Sequence, residues 1–189
     1  MTNYFLNMNK LNIKWAIIVA MILIAAAFRI LPHLPNATPV AAMGLFAAAY
    51  LRQSWQAYLV PFFAMIVSDI YVYSQNDYST YSMNSMLFNS FFTYIAFGLS
   101  IFMGQKLLQK VNFKNVIVSS LLGSLLFFVV SNVGVFAEGM LYPKTFAGLF
   151  DCFFNAIPFY KNTWVGDLTY SAILFGTYEL VKMKNPVLA

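Results

Sequence analysis

The stretch VIVSSLLGSLLFFVVSNVGVF, which runs from Val116 to Phe136, contains no charged residue over 21 positions. A helix needs roughly 20 mostly apolar residues to cross the hydrocarbon core of a bilayer, so this stretch is long enough to do so. Its apolar character is continuous and lacks the alternation expected of a strand in a membrane barrel. The stretch therefore predicts a transmembrane helix.

The rest of the chain follows the same pattern. The 189 residues are 61% hydrophobic and only 9% charged, whereas soluble domains carry about 25% charged residues. We predict an all-α bundle that forms one transmembrane domain over residues 1–189, with helices at 15–31, 39–51, 55–73, 86–105, 116–136 and 164–181. The second segment is too short to span upright, and Pro39 at its start predicts a short or tilted helix.

Positive charges indicate the orientation, because Lys and Arg favour the cytoplasmic side of short loops. With the N-terminus inside, eight of them are cytoplasmic: Lys10, Lys14, Arg52, Lys106, Lys110, Lys114, Lys182 and Lys184. Three lie outside: Arg29, Lys144 and Lys161. This bias predicts a multi-pass membrane protein with an even number of spans and both termini in the cytoplasm. The charges sit at helix ends and form no patch, so the lipid bilayer and not nucleic acid is the expected surroundings.

Two outer loops follow from this topology, 74–85 and 137–163. The second is long and aromatic, with glycine and proline at Gly139, Pro143, Gly148 and Pro158. Irregular backbone at membrane depth survives only where it is buried in protein or lines a cavity. We therefore expect this loop to fold back onto the bundle or to enter the membrane interface.

Three ionisable residues lie inside apolar segments, namely Arg29, Asp69 and Asp167. An ionisable group at membrane depth costs at least roughly 2.5 kcal/mol unless it is paired or hydrated. The topology places all three at the outer level. Either they bind a ligand directly in an outward-facing cavity, or an arginine–carboxylate pair holds the helices together.

Uncharged polar and aromatic residues accompany them at the outer helix ends. Amides and hydroxyls can hydrogen-bond a polar ligand, and the candidates are Asn36, Thr38, Asn132 and Asn162. The simpler interpretation is that Asn36 and Asn162 cap helices and that Asn132 bonds across a helix interface. Aromatic rings at Tyr142, Phe159 and Trp164 could stack on a flat ligand or form an ordinary interfacial belt.

Motifs for covalent chemistry are absent from the sequence. It has no phosphate-binding G-x-x-x-x-G-K-[ST] loop, no H-E-x-x-H and no G-x-S-x-G. Cys152 and His33 are each the only residue of their type, so paired-histidine metal sites are excluded. We expect no bound metal or cofactor and no enzymatic activity, although a carboxylate site built on Asp69 and Asp167 stays open.

Several segments together resemble a known group of proteins. They are 29–43 (RILPHLPNATPVAAM), 67–69 (VSD), 142–149 (YPKTFAGL), 156–159 (AIPF) and 162–167 (NTWVGD). These segments resemble a group of uncharacterised bacterial six-helix membrane proteins, which is itself similar to the substrate-binding S components of energy-coupling-factor vitamin transporters.

This resemblance implies a binding pocket on the outer side and an alanine face on the first helix that docks a transmembrane coupling subunit. Ala16 and Ala20 stand where that face would be, and small residues at this spacing let helices approach closely. ATP would then be hydrolysed by partner subunits. The leading hypothesis is an uptake subunit that binds a vitamin-like small molecule. The alternatives are a structural or assembly subunit, for which the outer pocket should be shallow or absent, and the carboxylate enzyme.

Overall fold

The computed structural model describes the backbone of residues 2–31, 34–51, 54–75 and 83–185, and the side chains of these ranges except 2–12, 54 and 83–85. The described residues form six helices and no strand. The helices are α1 Thr2–Phe28, α2 Val40–Tyr50, α3 Ser54–Gln75, α4 Met83–Leu107, α5 Phe113–Glu138 and α6 Phe146–Lys184.

Three of these helices contain spans long and apolar enough to cross a membrane: Trp55–Gln75, Met86–Leu107 and Phe113–Glu138. One face of α3 shows how the apolar residues are used, since Leu59, Phe63 and Ile70 are all more than half exposed. A helix that turns large apolar side chains outward is suited to hydrocarbon and not to water. The all-helical architecture is compatible with a helical membrane protein.

The short helix α2 lies at the centre of the bundle. It contacts each of the other five helices, and all its residues from Val40 to Ala47 are buried. Its approach to α4 is close, because Gly44 lies against Phe97 and Ile101. An apolar helix that is buried on every side needs no polar face, which explains why a segment too short to span is apolar throughout.

Contacts between helix ends show how the chain runs through the bundle. At one end, which we call the Arg29 end, Arg29 after α1 pairs with Asp69 on α3, and Asn89 on α4 donates to Glu138 on α5. At the opposite end, the Tyr50 hydroxyl at the end of α2 donates to Glu179 on α6. The helices therefore run alternately up and down.

The connection between α5 and α6 differs from the sequence prediction. Gly139 ends α5 with a φ of 76°, a left-handed conformation that glycine adopts without strain. The Thr145 hydroxyl then caps α6 by accepting from the Gly148 N–H at 3.1 Å. The predicted loop of 137–163 was wrong: the connection is 139–145, and the aromatic segment that follows it forms the first half of α6, with Pro158 inside the helix.

Candidate functional site

A cavity of about 380 Å³ lies at the Arg29 end of the bundle. Its lining comes from helices α2 to α6 and from the segment that connects α1 to α2. Small-molecule sites typically occupy about 300–1,000 Å³. The cavity is therefore large enough for a small ligand.

Two helices supply most of the wall. Side chains three, four and seven positions apart share one face of a helix. On α5 this face presents Phe127, Phe128, Ser131, Asn132 and Val135, and on α6 it presents Ala156, Phe159, Tyr160, Thr163 and Asp167. The half of α6 that was predicted to be a loop thus forms one side of the cavity.

Arg29 lines the cavity but is bound to the protein on its other side. Its Nη2 donates to Asp69 Oδ1 at 2.6 Å, and its Nη1 donates to the Ser68 hydroxyl and, at 3.3 Å, to the Met65 carbonyl. The second oxygen of Asp69 accepts from the Tyr94 hydroxyl at 2.7 Å. Asp69 therefore compensates the charge of Arg29 on the side away from the cavity, and it does not itself line the cavity.

Asp167 lies at the cavity floor and is only 2% exposed. Its carboxylate interacts with the Ser124 hydroxyl, at 2.6 Å between Ser124 Oγ and Asp167 Oδ2, and with the backbone N–H of Ala42. The first turn of a helix has N–H groups without a partner inside that helix, and Pro39 provides no side-chain cap for α2. Asp167 consequently acts as a cap supplied by α6 to the buried N-terminus of α2.

Three uncharged polar residues at the cavity retain unused hydrogen-bonding groups. Asn132 donates from Nδ2 to the Phe128 carbonyl at 2.7 Å, which leaves its amide oxygen without a donor in the described part of the chain. Asn36 and Thr38 make no side-chain hydrogen bond to any described residue, and both line the cavity. These groups are available to a ligand.

The segment that carries Asn36 and Thr38 is held in place by α6. Asn162 Nδ2 donates to the Pro35 carbonyl at 3.1 Å, and Gly166 lies directly against the backbone of Ala37. Asn36 itself has a φ of 64°, which asparagine tolerates better than most residues. Asn162 is therefore a positioning residue for this segment and not part of the cavity wall.

The structure brings together six of the ten residues predicted to bind substrate: Arg29, Asn36, Thr38, Asn132, Phe159 and Asp167. The other four, Asp69, Tyr142, Asn162 and Trp164, are not among the lining residues. The hydroxyl of Tyr142 accepts from Asn155 at 3.5 Å, away from the cavity.

Eleven of the lining residues were not selected from the sequence, and four of these carry an aromatic ring or a hydroxyl group inside a predicted helix: Thr93, Phe127, Phe128 and Ser131. All four lie inside apolar segments, where an aromatic or hydroxyl residue is ordinary. The usable signal was spacing, because Phe128 precedes Asn132 by one helical turn and so shares its face.

The remaining candidates lie elsewhere. Ala16 and Ala20 are exposed on α1, so no described part of the bundle covers them. Cys152 is buried, and its thiol donates to the backbone carbonyl of Asn132 at 3.5 Å. His33 lies outside the described residues.

Fold and site together define a helical bundle of membrane-compatible composition with a polar and aromatic cavity at one end. The model of a family of unknown function, DUF6580, matches residues 9–188, and the chain belongs to this family. No curated protein and no solved structure is significantly similar to it.

Proposed function

We propose that this protein is a multi-pass protein of the bacterial inner membrane that binds a small molecule from the outer side for uptake. The observation that carries the proposal is the cavity of about 380 Å³ with uncommitted polar groups at the Arg29 end. The bias of positive charge supports an orientation with both termini inside, which makes the Arg29 end the outer one.

The way the cavity is built supports a transport site. Transporters often bind substrates where a helix is interrupted at membrane depth and its N-terminus faces the site. Here α2 begins inside the bundle, and Val40 and Ala41 of its first turn line the cavity. Non-helical backbone at 29–31 and 34–39 precedes α2 in the chain. A structural or assembly subunit, the alternative from the sequence, gives no reason for a cavity at this position.

The proposal includes a coupling partner. Because the sequence has no phosphate-binding loop, energy for uptake would come from an ion gradient or from a partner, and the resemblance favours separate subunits with ATPase activity. Ala16 and Ala20 offer an exposed, small-residue surface on α1, which suits close helix packing. This is the arrangement that the resemblance to energy-coupling-factor S components implies.

Catalysis by the two carboxylates has less support. Asp69 is held by Arg29 and Tyr94, while Asp167 is held by Ser124 and the Ala42 N–H. A pair of catalytic carboxylates should share a substrate or a water, whereas these two belong to separate hydrogen-bond networks.

The test is a thermal-shift screen of the detergent-purified protein against a panel of vitamins and cofactors. A ligand at 100 times its dissociation constant adds about 2.7 kcal/mol of stability. The shift should be lost in Asn132→Leu, which removes an uncommitted polar group from the cavity. It should persist in Asn155→Leu, since Asn155 is an exposed residue of α6 outside the cavity lining. A panel without any shift, or a shift that both variants retain, would contradict the proposal.

A further inference from the structure

The charge balance of the cavity restricts what it can bind. Among the described residues that line the cavity, only Arg29 and Asp167 have charged side chains. The guanidinium of Arg29 is already matched by the Asp69 carboxylate at 2.6 Å, and both side chains are 13% exposed. The positive charge at the cavity wall is thus neutralised by the protein itself.

The carboxyl group of Asp167 also has its partners within the protein. It is 2% exposed, and its carboxyl oxygens interact with the Ser124 hydroxyl and with the N-terminus of α2 through Ala42. The N-terminal end of a helix carries a partial positive charge, which complements this carboxyl. A cationic ligand would have to displace these buried interactions to reach it.

Arg29 Nε has no hydrogen-bond partner among the described residues, but this atom is buried and not accessible to solvent. The other cavity groups without a partner among the described residues are uncharged. They are the Asn132 amide oxygen and the side chains of Asn36 and Thr38, and the phenol of Tyr160 also makes no hydrogen bond within the described residues. Such groups can satisfy amide, hydroxyl or ring-nitrogen groups of a ligand. They cannot compensate a net charge that has left water.

Aromatic rings complete the wall. Phe128 packs against Tyr160 with ring centroids 4.7 Å apart, and Phe127 and Phe159 also line the cavity. Faces of aromatic side chains favour offset stacking with flat rings. The wall therefore suits a planar ligand.

We infer that the ligand of this cavity is an uncharged, planar, polar molecule, such as a heterocycle that carries amide or hydroxyl groups. The inference rests on the proposed function and specifies its substrate class. It differs from the sequence hypothesis, in which Arg29, Asp69 and Asp167 orient the substrate.

The experiment uses ligand triads that share one ring and differ in charge. Each triad contains a ring carboxamide, the corresponding carboxylate and the N-methylated cation of the carboxamide, on pyridine, pyrazine and quinoline rings. Binding to the full chain is measured by thermal shift and by titration calorimetry. The carboxamide should bind about 100-fold more tightly than either charged member, because an unpaired buried charge is strongly unfavourable.

A charge variant sharpens the test. Asn132→Asp introduces a carboxylate without a protein partner into the cavity wall and should reverse the preference towards the cation. Asn155→Asp makes the same change outside the cavity lining and should leave the preference unchanged.

The outcomes are distinguishable. Tighter binding of a carboxylate or of the cation to the wild-type protein would overturn the inference and leave the proposed uptake function standing. The absence of binding by every triad and every compound of the vitamin panel would contradict the proposed function, and the inference would fall with it.

Discussion

The pairing of Arg29 with Asp69 yields a prediction of defined size. Arg29→Met keeps an unbranched side-chain stem and removes the charged guanidinium group, and Asp69→Asn keeps the shape and an acceptor for Tyr94. Removing one partner of a buried pair costs about 3–5 kcal/mol, because the other charge is left uncompensated. Since both side chains are 13% exposed and partly reached by solvent, we expect about 3 kcal/mol for each single variant, at the lower end of that range.

The double variant removes both charges at once, so it should cost less than the sum of the two single variants. Residues in direct contact show interaction energies of about 0.5–3 kcal/mol, and we expect about 2 kcal/mol here. The measurement is unfolding of the purified protein in mixed micelles by titration with a denaturing detergent, monitored by circular dichroism.

The chain contains a matched control pair, Glu179 and Lys182, on the last turns of α6. Their ion pair is 3.2 Å long, but the two side chains are 36% and 37% exposed. Exposed helical pairs contribute about 0.3–0.5 kcal/mol, so the cycle of Glu179→Gln and Lys182→Met should show weak coupling. Additive effects of Arg29→Met and Asp69→Asn would refute the reasoning, because Arg29 would then be free to bind an anion and the inference of an uncharged ligand would lose its basis.

Three further predictions test packing, the cavity segment and topology. Gly134→Ala should destabilise the protein by about 1–3 kcal/mol, because the new Cβ would lie 2.6 Å from Phe92. The control Gly176→Ala, whose Cβ would have nothing within 4 Å, should be neutral or stabilising by up to about 1 kcal/mol. Equal losses of stability for the two variants in detergent-titration unfolding would contradict the α4–α5 contact. Asn36→Gly should weaken ligand binding without loss of stability, because glycine accepts the φ of 64°. Asn36→Ala should weaken binding and also lower the free energy of unfolding by about 1 kcal/mol. Equal stability of the two variants would show that this backbone conformation is wrong. Green fluorescent protein fused to the C-terminus should fluoresce, and alkaline phosphatase fused there should be inactive. Active phosphatase would contradict a cytoplasmic C-terminus.

The sequence predicts helices well where apolar runs are long. The observed α3, α4 and α5 contain the whole of the predicted segments 55–73, 86–105 and 116–136. The prediction failed at α6, where glycine, proline and many aromatic residues suggested a loop. Helix formation there depends on Thr145 as a cap and on packing against α5, and packing between distant segments is not visible in local composition.

The candidate site was predictable in part, for a physical reason. Ionisable and amide residues are expensive in apolar segments, so Arg29, Asn132 and Asp167 stand out in the sequence. Their partners do not stand out, since Ser124 and the backbone of Ala42 are ordinary residues of apolar helices. The sequence therefore identified groups that need partners without indicating whether a ligand or the protein supplies them.

The length of α2 explains why the bundle has a cavity. Eleven residues make a helix about 16 Å long, roughly half the thickness of a hydrocarbon core. Because α2 occupies the centre of the bundle and begins partway through it, the surrounding helices continue past its N-terminus with no helix between them. That space is the cavity, and its floor would expose unsatisfied N–H groups if Asp167 did not cap them. The polar floor thus follows from the short central helix, while the uncommitted polar groups above it are what a ligand would meet.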